Sequence, residues 1–241
     1  MTTAASAPVT RAVPPLQGFT VGVTAARRAD ELGAMLERRG AVVQHGPALR
    51  IVPLADDAKL IAATRELVER PPDITVATTG IGFRGWVDAA RGWGMGDELL
   101  HALGCGELIA RGPKARGAIR ASGLADAWSP PSESSAGVLD HLLERGVEGV
   151  RIAVQLHGEP LPDVVEALCV AGAEVVEVPV YRWMPPADLT PLDRLIDAVI
   201  AGCIDVVAFT SAPAAASLLA RAGHRGVADE LLRALRGPVL A

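Results

Sequence analysis

The fold follows from one stretch, Asp73-Ile74-Thr75-Val76-Ala77-Thr78-Thr79-Gly80. An apolar run of strand length ends there in two hydroxyl residues and a glycine, and the next segment has helical spacing. A helical pattern also precedes the stretch, from Ala58 to Glu69. A strand between two helices predicts an α/β fold with a parallel sheet. The hydroxyls would then lie at the carboxyl edge of the sheet, where open α/β sheets bind ligands.

The same pattern returns in Asp205-Val206-Val207-Ala208-Phe209-Thr210-Ser211, at an offset of 132 residues. The opening β-α-β pattern of residues 20–45 likewise matches residues 151–176, with Gly40 aligned to Gly172. Agreement between such widely separated landmarks indicates an internal duplication.

The offset also predicts where the sequence is incomplete. It aligns Glu107, which begins another predicted strand, with Val239, two residues before the end at Ala241. Either this half has lost its last strand or the sequence is a piece of a longer protein. We expect the second, because a parallel sheet without its terminal strand exposes a pairing edge.

The composition is typical of helices packed on a parallel sheet, with 50% hydrophobic but only 3% aromatic residues. A net charge of −5 argues against a broad surface for nucleic acid or anionic membranes. Apart from Lys59 and Lys114, the positively charged residues are arginines. Either a GC-rich coding sequence or a need for bidentate contacts with carboxylates would explain this preference. The longest uncharged apolar run, Val206 to Ala220, contains Pro213 and is too short to span a membrane.

Cysteine usage and the N-terminus point to a cytoplasmic protein. Cys105, Cys169 and Cys203 are odd in number and unclustered, and we expect buried, reduced thiols. No Cys/His spacing resembles a zinc site, so no metal is expected. Residues 1–17 have no apolar signal core and read as a disordered leader.

Several motifs in order along the chain together resemble the uroporphyrinogen-III synthase family, from Thr20 to Ala241. They are Val23-Thr24 with Arg27, the Asp73 to Thr79 strand, Ala110-Arg111-Gly112-Pro113, Val178-Pro179-Val180-Tyr181-Arg182, and Asp205 to Ser211. The resemblance implies two flavodoxin-like, doubly wound, parallel-sheet domains that are interleaved and joined by a two-stranded linker. Domain 1 would comprise residues 18–46 and 186–241, domain 2 residues 55–177, and the linker strands residues 47–54 and 178–185. The proline-flanked stretch 47–54 is independently expected to be extended.

The resemblance also implies a reaction, the cyclisation of the linear tetrapyrrole hydroxymethylbilane to uroporphyrinogen III. Ring D is inverted, water is lost, and neither a metal nor an organic cofactor is needed. The chemistry requires held carboxylates and a hydroxyl that leaves with a donated proton. An interdomain cleft lined by strand ends and helix starts would bind carboxylates through backbone N–H groups despite the net negative charge. We expect a cytoplasmic monomer that binds neither membrane nor, through this segment, nucleic acid.

Tyr181 is the only tyrosine in the chain and matches the family tyrosine proposed to help the hydroxyl leave. The alternative is a structural ring packed against Trp183. By the same resemblance the substrate-binding candidates are Thr24, Arg27, Thr78, Thr79, Gly80, Gly112, Lys114, Arg116, His157, Thr210 and Ser211. The strand-end hydroxyls fit helix caps equally well, and Arg27, like its neighbour Arg28, fits a solvated helix start.

Two residues leave the function open. His157 could titrate near neutral pH and act as an acid or ligand, or could lie in a surface turn. Ala115 occupies a position where the family usually has a threonine hydroxyl facing the cleft, while Lys114 and Arg116 add cations. The missing hydroxyl at position 115 favours a second interpretation. In it the chain is a non-catalytic ligand-sensing domain of a transcriptional regulator, with a DNA-binding winged-helix module beyond Ala241. Tyr181 and the intact strand ends favour the enzyme.

Overall fold

The computed structural model describes residues 13–237, and the chain divides into two compact units. Unit 1 contains the described residues up to Arg50 and those from Met184 onward, whereas unit 2 spans Ile51–Trp183. The chain therefore leaves unit 1, completes unit 2 and returns. The predicted mixed α/β fold with interleaved chain order is confirmed.

Unit 1 is built on a parallel sheet with strand order β2-β1-β9. Its strands are β1 (Thr20–Val23), β2 (Val42–His45) and β9 (Val206–Ala208). Its helices are α1 (Ala29–Glu37), α8 (Thr190–Ile200), α9 (Ala212–His224) and α10 (Ala228–Leu235). The further strand predicted to begin at Val239 falls outside the described residues.

Unit 2 is built on a parallel sheet with strand order β5-β4-β6-β7. Its strands are β4 (Ile74–Ala77), β5 (Glu107–Ala110), β6 (Arg151–Gln155) and β7 (Glu174–Val178). Its helices are α2 (Ala58–Glu69), α3 (Gly80–Gly92), α4 (Gly96–Gly104), α5 (Pro113–Ala121), α6 (Ser135–Arg145) and α7 (Pro162–Val170). Successive side chains of β4 enter different cores, since Ile74 and Val76 join Leu142 of α6 whereas Ala77 joins Trp86 of α3. Helices thus cover both faces, as in a doubly wound fold.

A two-stranded ribbon lies where the chain passes between the units. It consists of β3 (Arg50–Pro53) and β8 (Tyr181–Met184), and Leu54 N–H extends the pairing by donating to Val180 O at 3.0 Å. The predicted two-stranded linker is therefore present.

The sequence repeat is visible in matching hydrogen bonds. Asp73 donates its N–H to Arg151 O at 2.9 Å, and its Oδ2 accepts the Arg151 N–H at 2.8 Å. Asp205 makes the same pair with Thr20, at 2.9 and 2.7 Å. Each aspartate thus fixes the start of its strand to the start of the neighbouring strand.

Two sequence expectations differ from the structure. The three cysteines are free but exposed rather than buried; Cys169, for example, follows the buried Leu168 on α7 and is rotated by about 100° from it. In the predicted leader, Leu16 donates its N–H to Arg39 O at 2.9 Å and packs on the unit 1 core, so its apolar side chain holds residues near 16 in place. Residues 1–12 of the leader lie outside the described range.

None of the helices formed by residues 13–237 is long and apolar enough to cross a membrane.

Candidate functional site

The two threonines that end β4 have different partners. Thr78 is 4% exposed, and its hydroxyl donates to the backbone carbonyl of Gln155 at 2.7 Å, which ties the end of β4 to the end of β6. Thr79 is the N-cap of α3, and its Oγ1 accepts the Gly82 N–H at 3.2 Å. The capping interpretation of the sequence is confirmed for Thr79.

Gln155 belongs to the candidate site by its contacts, and the sequence interpretation missed it. Its side chain is fully buried, its Oε1 accepts the Thr79 N–H at 3.2 Å, and its Nε2 donates to Leu156 O at 2.5 Å. Nε2 also lies 3.4 Å from Thr79 Oγ1. The one available signal was an amide at the end of an otherwise apolar strand, since a buried polar side chain needs partners.

Tyr181 meets Thr79 across 102 residues of sequence. Tyr181 is 7% exposed and lies in the main apolar core of unit 2, on which Trp183 also packs. The phenol oxygen lies 3.3 Å from Thr79 Oγ1. Packing and a polar contact therefore occur together, and the core fixes the ring while the hydroxyl lies beside the strand end.

The starts of α3 and α5 adjoin each other. A side chain at Gly80 would place its Cβ 2.2 Å from the Lys114 carbonyl oxygen, so glycine is required for this approach. Gly112 is the N-cap of α5, and Lys114 is exposed in its first turn. Helix starts carry partial positive charge, which Lys114 reinforces.

The residues that follow Lys114 are less available to bind a ligand than the sequence suggested. Arg116 forms a two-pronged ion pair with Asp126, and the hydrogen bond from Arg116 lowers the pKa of that carboxyl. Ala115 is 2% exposed and packs in the apolar core with Phe83 and Ala118. A hydroxyl at position 115 would enter this core.

His157 follows β6 and is half-buried against Trp183, with ring centroids 6.0 Å apart at 72°. Its Nδ1 is buried and has no hydrogen-bond partner among the described residues. Burial, and then the charge of Arg111, lowers the pKa of His157 to about 4. Titration near neutral pH was therefore a wrong expectation. A solvated surface turn was also wrong, because the Trp183 ring packs on this turn so closely that a Cβ at Gly158 (φ +90°) would lie 2.4 Å from it.

The predicted residues of unit 1 lie at the carboxyl ends of β1 and β9. Thr24 is fully buried and donates its hydroxyl to Ala208 O at 2.9 Å, so it joins the two strand ends. Arg27 is exposed in the loop before α1. Thr210 is exposed, and Ser211 is the N-cap of α9 but makes no side-chain capping bond, unlike Thr79. Its hydroxyl is thus not committed to the helix.

Two parallel α/β units, connected by a two-stranded ribbon and bearing hydroxyls at their strand ends, define a duplicated flavodoxin-like protein. The chain belongs to the uroporphyrinogen-III synthase family, because the family model described as uroporphyrinogen-III synthase HemD matches residues 30–240. The family resemblance in the motifs is thereby confirmed.

Two individual proteins are similar to the chain. The chain is 29% identical over 226 residues to the uncharacterized protein YjjA of Bacillus subtilis, covering 94% of this chain and 83% of that protein. It is 32% identical over 107 residues to a putative uroporphyrinogen-III synthase of Methanothermobacter thermautotrophicus, covering 44% and 42%.

Solved structures of uroporphyrinogen III synthase from the extremely thermophilic bacterium Thermus thermophilus share the fold. A mutant form superposes with a TM-score of 0.76 at 26% identity, covering 92% of this chain and 83% of that one. The wild type gives a TM-score of 0.64 at 28% identity, covering 92% and 82%. Family and fold are therefore shown along nearly the whole chain.

Proposed function

We propose that this chain is a uroporphyrinogen-III synthase, which cyclises hydroxymethylbilane with inversion of ring D and loss of water. The observation that carries the proposal is the contact of the Tyr181 phenol with Thr79 Oγ1, 3.3 Å apart at the carboxyl edge of the unit 2 sheet. A phenol is a weak acid, so it needs to be positioned in order to donate a proton. The buried ring of Tyr181 meets that requirement.

In the proposed step, Tyr181 donates its proton to the hydroxyl of the hydroxymethyl group. The C–O bond breaks and water leaves, and the freed carbon forms a C–C bond to the substituted α-carbon of ring D. The bond from that α-carbon to its existing methylene bridge then breaks. The released methylene bonds to the other α-carbon of ring D, which loses a proton, and ring D is thereby inverted. That proton restores the phenol, so the balance is one water per ring closed. No electron transfer is involved, and the proposal includes neither a metal nor an organic cofactor.

Carboxylates of the substrate need positive charge and N–H donors. We propose the exposed Lys114 and Arg27 for this role, with the backbone at Gly80 and Gly112 and the hydroxyls of Thr210 and Ser211. Thr24 and Thr78 donate to backbone carbonyls and shape the strand ends. Arg116 contributes less because Asp126 neutralises it, and His157 contributes a neutral ring.

The non-catalytic alternative drew its support from Ala115. Since Ala115 is buried in the apolar core, the absence of a hydroxyl there does not argue against catalysis. Exposed free cysteines suit a reducing compartment, and we include a cytoplasmic, monomeric enzyme in the proposal.

The test supplies freshly generated hydroxymethylbilane and measures isomer III against the spontaneous isomer I after oxidation to porphyrins. We expect an excess of isomer III from the folded protein. Tyr181→Phe keeps the ring packing and removes the proton, so kcat is expected to fall roughly 100-fold with little change in KM. A folded protein that yields only the spontaneous ratio would overturn the proposal, and unchanged kcat in Tyr181→Phe would remove this residue from the step.

A further inference from the structure

Three groups that can donate a hydrogen bond lie around the Thr79 hydroxyl, and it can accept from only two of them. A hydroxyl has one hydrogen to donate and two lone pairs with which to accept. Gly82 N–H at 3.2 Å and Gln155 Nε2 at 3.4 Å occupy both lone pairs. The remaining contact, to the Tyr181 oxygen at 3.3 Å, therefore uses the hydrogen of Thr79. Tyr181 accepts this bond, and its own hydrogen is directed elsewhere.

The orientation of the Gln155 amide is fixed by two further partners. Its Oε1 faces the Thr79 N–H, which can only donate, and its Nε2 faces the Leu156 carbonyl, which can only accept. If the amide were flipped, its NH₂ group would face the Thr79 N–H and its oxygen would face the Leu156 carbonyl oxygen. The Nε2 group is consequently the one presented to Thr79 Oγ1.

We propose that Gln155 is a positioning residue that fixes the direction of the Thr79–Tyr181 hydrogen bond, so that Thr79 donates and Tyr181 presents its proton away from Thr79. The catalytic consequence rests on the proposed function, because a general acid is useful only when its proton points at the leaving group. The direction of the bond itself does not depend on any activity.

The test exploits the fact that Tyr181 is the only tyrosine in the chain. The tyrosine doublet in the Raman spectrum, whose intensity ratio reports whether a phenol donates or accepts hydrogen bonds, therefore arises from this residue alone. In Gln155→Glu the side chain still accepts from Thr79 N–H. Burial and the facing Leu156 carbonyl favour the neutral acid, whose single hydrogen goes to that carbonyl and leaves none for Thr79 Oγ1. The Thr79 hydrogen then turns toward the carboxyl group, and Tyr181 becomes the donor to Thr79.

We expect the doublet of Gln155→Glu to shift toward the donor ratio, and kcat to fall roughly 10-fold or more with KM changed less than about twofold. Gln17→Glu makes the same chemical change in an exposed turn of unit 1, and it is expected to leave the doublet and kcat unchanged. In a Thr79→Val background, Gln155→Glu should cause no further loss of kcat, because residues that act through one group are not additive.

An unchanged doublet in folded Gln155→Glu overturns the assignment, and a shifted doublet with unchanged kcat overturns the positioning role. Should Gln155→Glu fail to fold, Thr79→Val removes the donor to Tyr181, and the doublet must then shift away from the acceptor ratio, whereas a shift away from the donor ratio overturns the assignment. A shifted doublet in a protein that makes no isomer III supports the hydrogen-bond assignment while the proposed function fails, so the two failures are distinguishable.

Discussion

Three side chains from distant parts of the sequence, Thr79, Gln155 and Tyr181, meet at one end of the unit 2 sheet. Each side chain is held by a different kind of interaction. Thr79 is fixed as a helix cap, Gln155 by hydrogen bonds of its side-chain amide to Thr79 and Leu156, and Tyr181 by its buried ring. The consequence is a phenol held in one place by contacts that do not involve a substrate.

His157 provides a residue-scale prediction about pH. The folded protein keeps this imidazole neutral down to a pKa of about 4, whereas the unfolded chain takes up the proton near 6.5. Unfolding therefore binds a proton between these values, so stability is complete above the unfolded value and is lost as the pH falls toward 4. The half-buried ring limits the loss to on the order of 1–2 kcal/mol.

Urea unfolding at neutral pH and near pH 5 measures this loss. His157→Phe keeps a ring against Trp183 and cannot titrate, so its unfolding free energy is expected to vary less with pH than that of the parent. Equal pH dependence in both proteins would show that other groups are responsible.

At the scale of elements, the start of α3 depends on glycines for two opposite reasons. A Cβ at Gly82 would lie 2.2 Å from Gln155 Nε2 and 2.8 Å from Thr79 Oγ1, whereas one at Gly85 would meet no atom within 4 Å. Gly82 therefore makes space for the buried amide. Gly85 only adds backbone freedom to the helix.

These two glycines form a matched pair of substitutions on one helix. Gly82→Ala is expected to destabilise the protein by about 1–3 kcal/mol, because the Gln155 amide is fixed and cannot move aside. Gly85→Ala is expected to stabilise it by about 0.5–1 kcal/mol. Denaturant unfolding measures both, and a loss of stability in Gly85→Ala comparable to that in Gly82→Ala would contradict the steric explanation.

For the whole molecule, the main feature is that each unit has its own sheet and apolar core. Asp73 in unit 2 and Asp205 in unit 1 make the same pair of hydrogen bonds to the neighbouring strand. The repeat therefore places the same aspartate contact at a strand start in two separate sheets.

Asp73→Ala and Asp205→Ala should each cost about 1–2 kcal/mol, since each leaves a strand N–H without its charged acceptor. The sites share no partner, so the losses should add in the double variant. Hydrogen exchange of the β4 and β9 amides gives a separate readout for each unit, and each substitution should speed exchange in its own unit. Two results would contradict independent cores. One is that Asp205→Ala speeds exchange in β4 as much as in β9. The other is a strongly non-additive loss of stability in the double variant.

The sequence by itself determined the α/β class, the repeat, the ribbon strands and the family, because these depend on periodicity, proline positions and ordered motifs. It also selected Thr79 and Tyr181 as candidates. Only the tertiary structure decided that Gln155 joins them, that Ala115 is buried and that His157 stays neutral. Those outcomes depend on which side chains meet across strands distant in sequence, and local pattern does not encode such contacts.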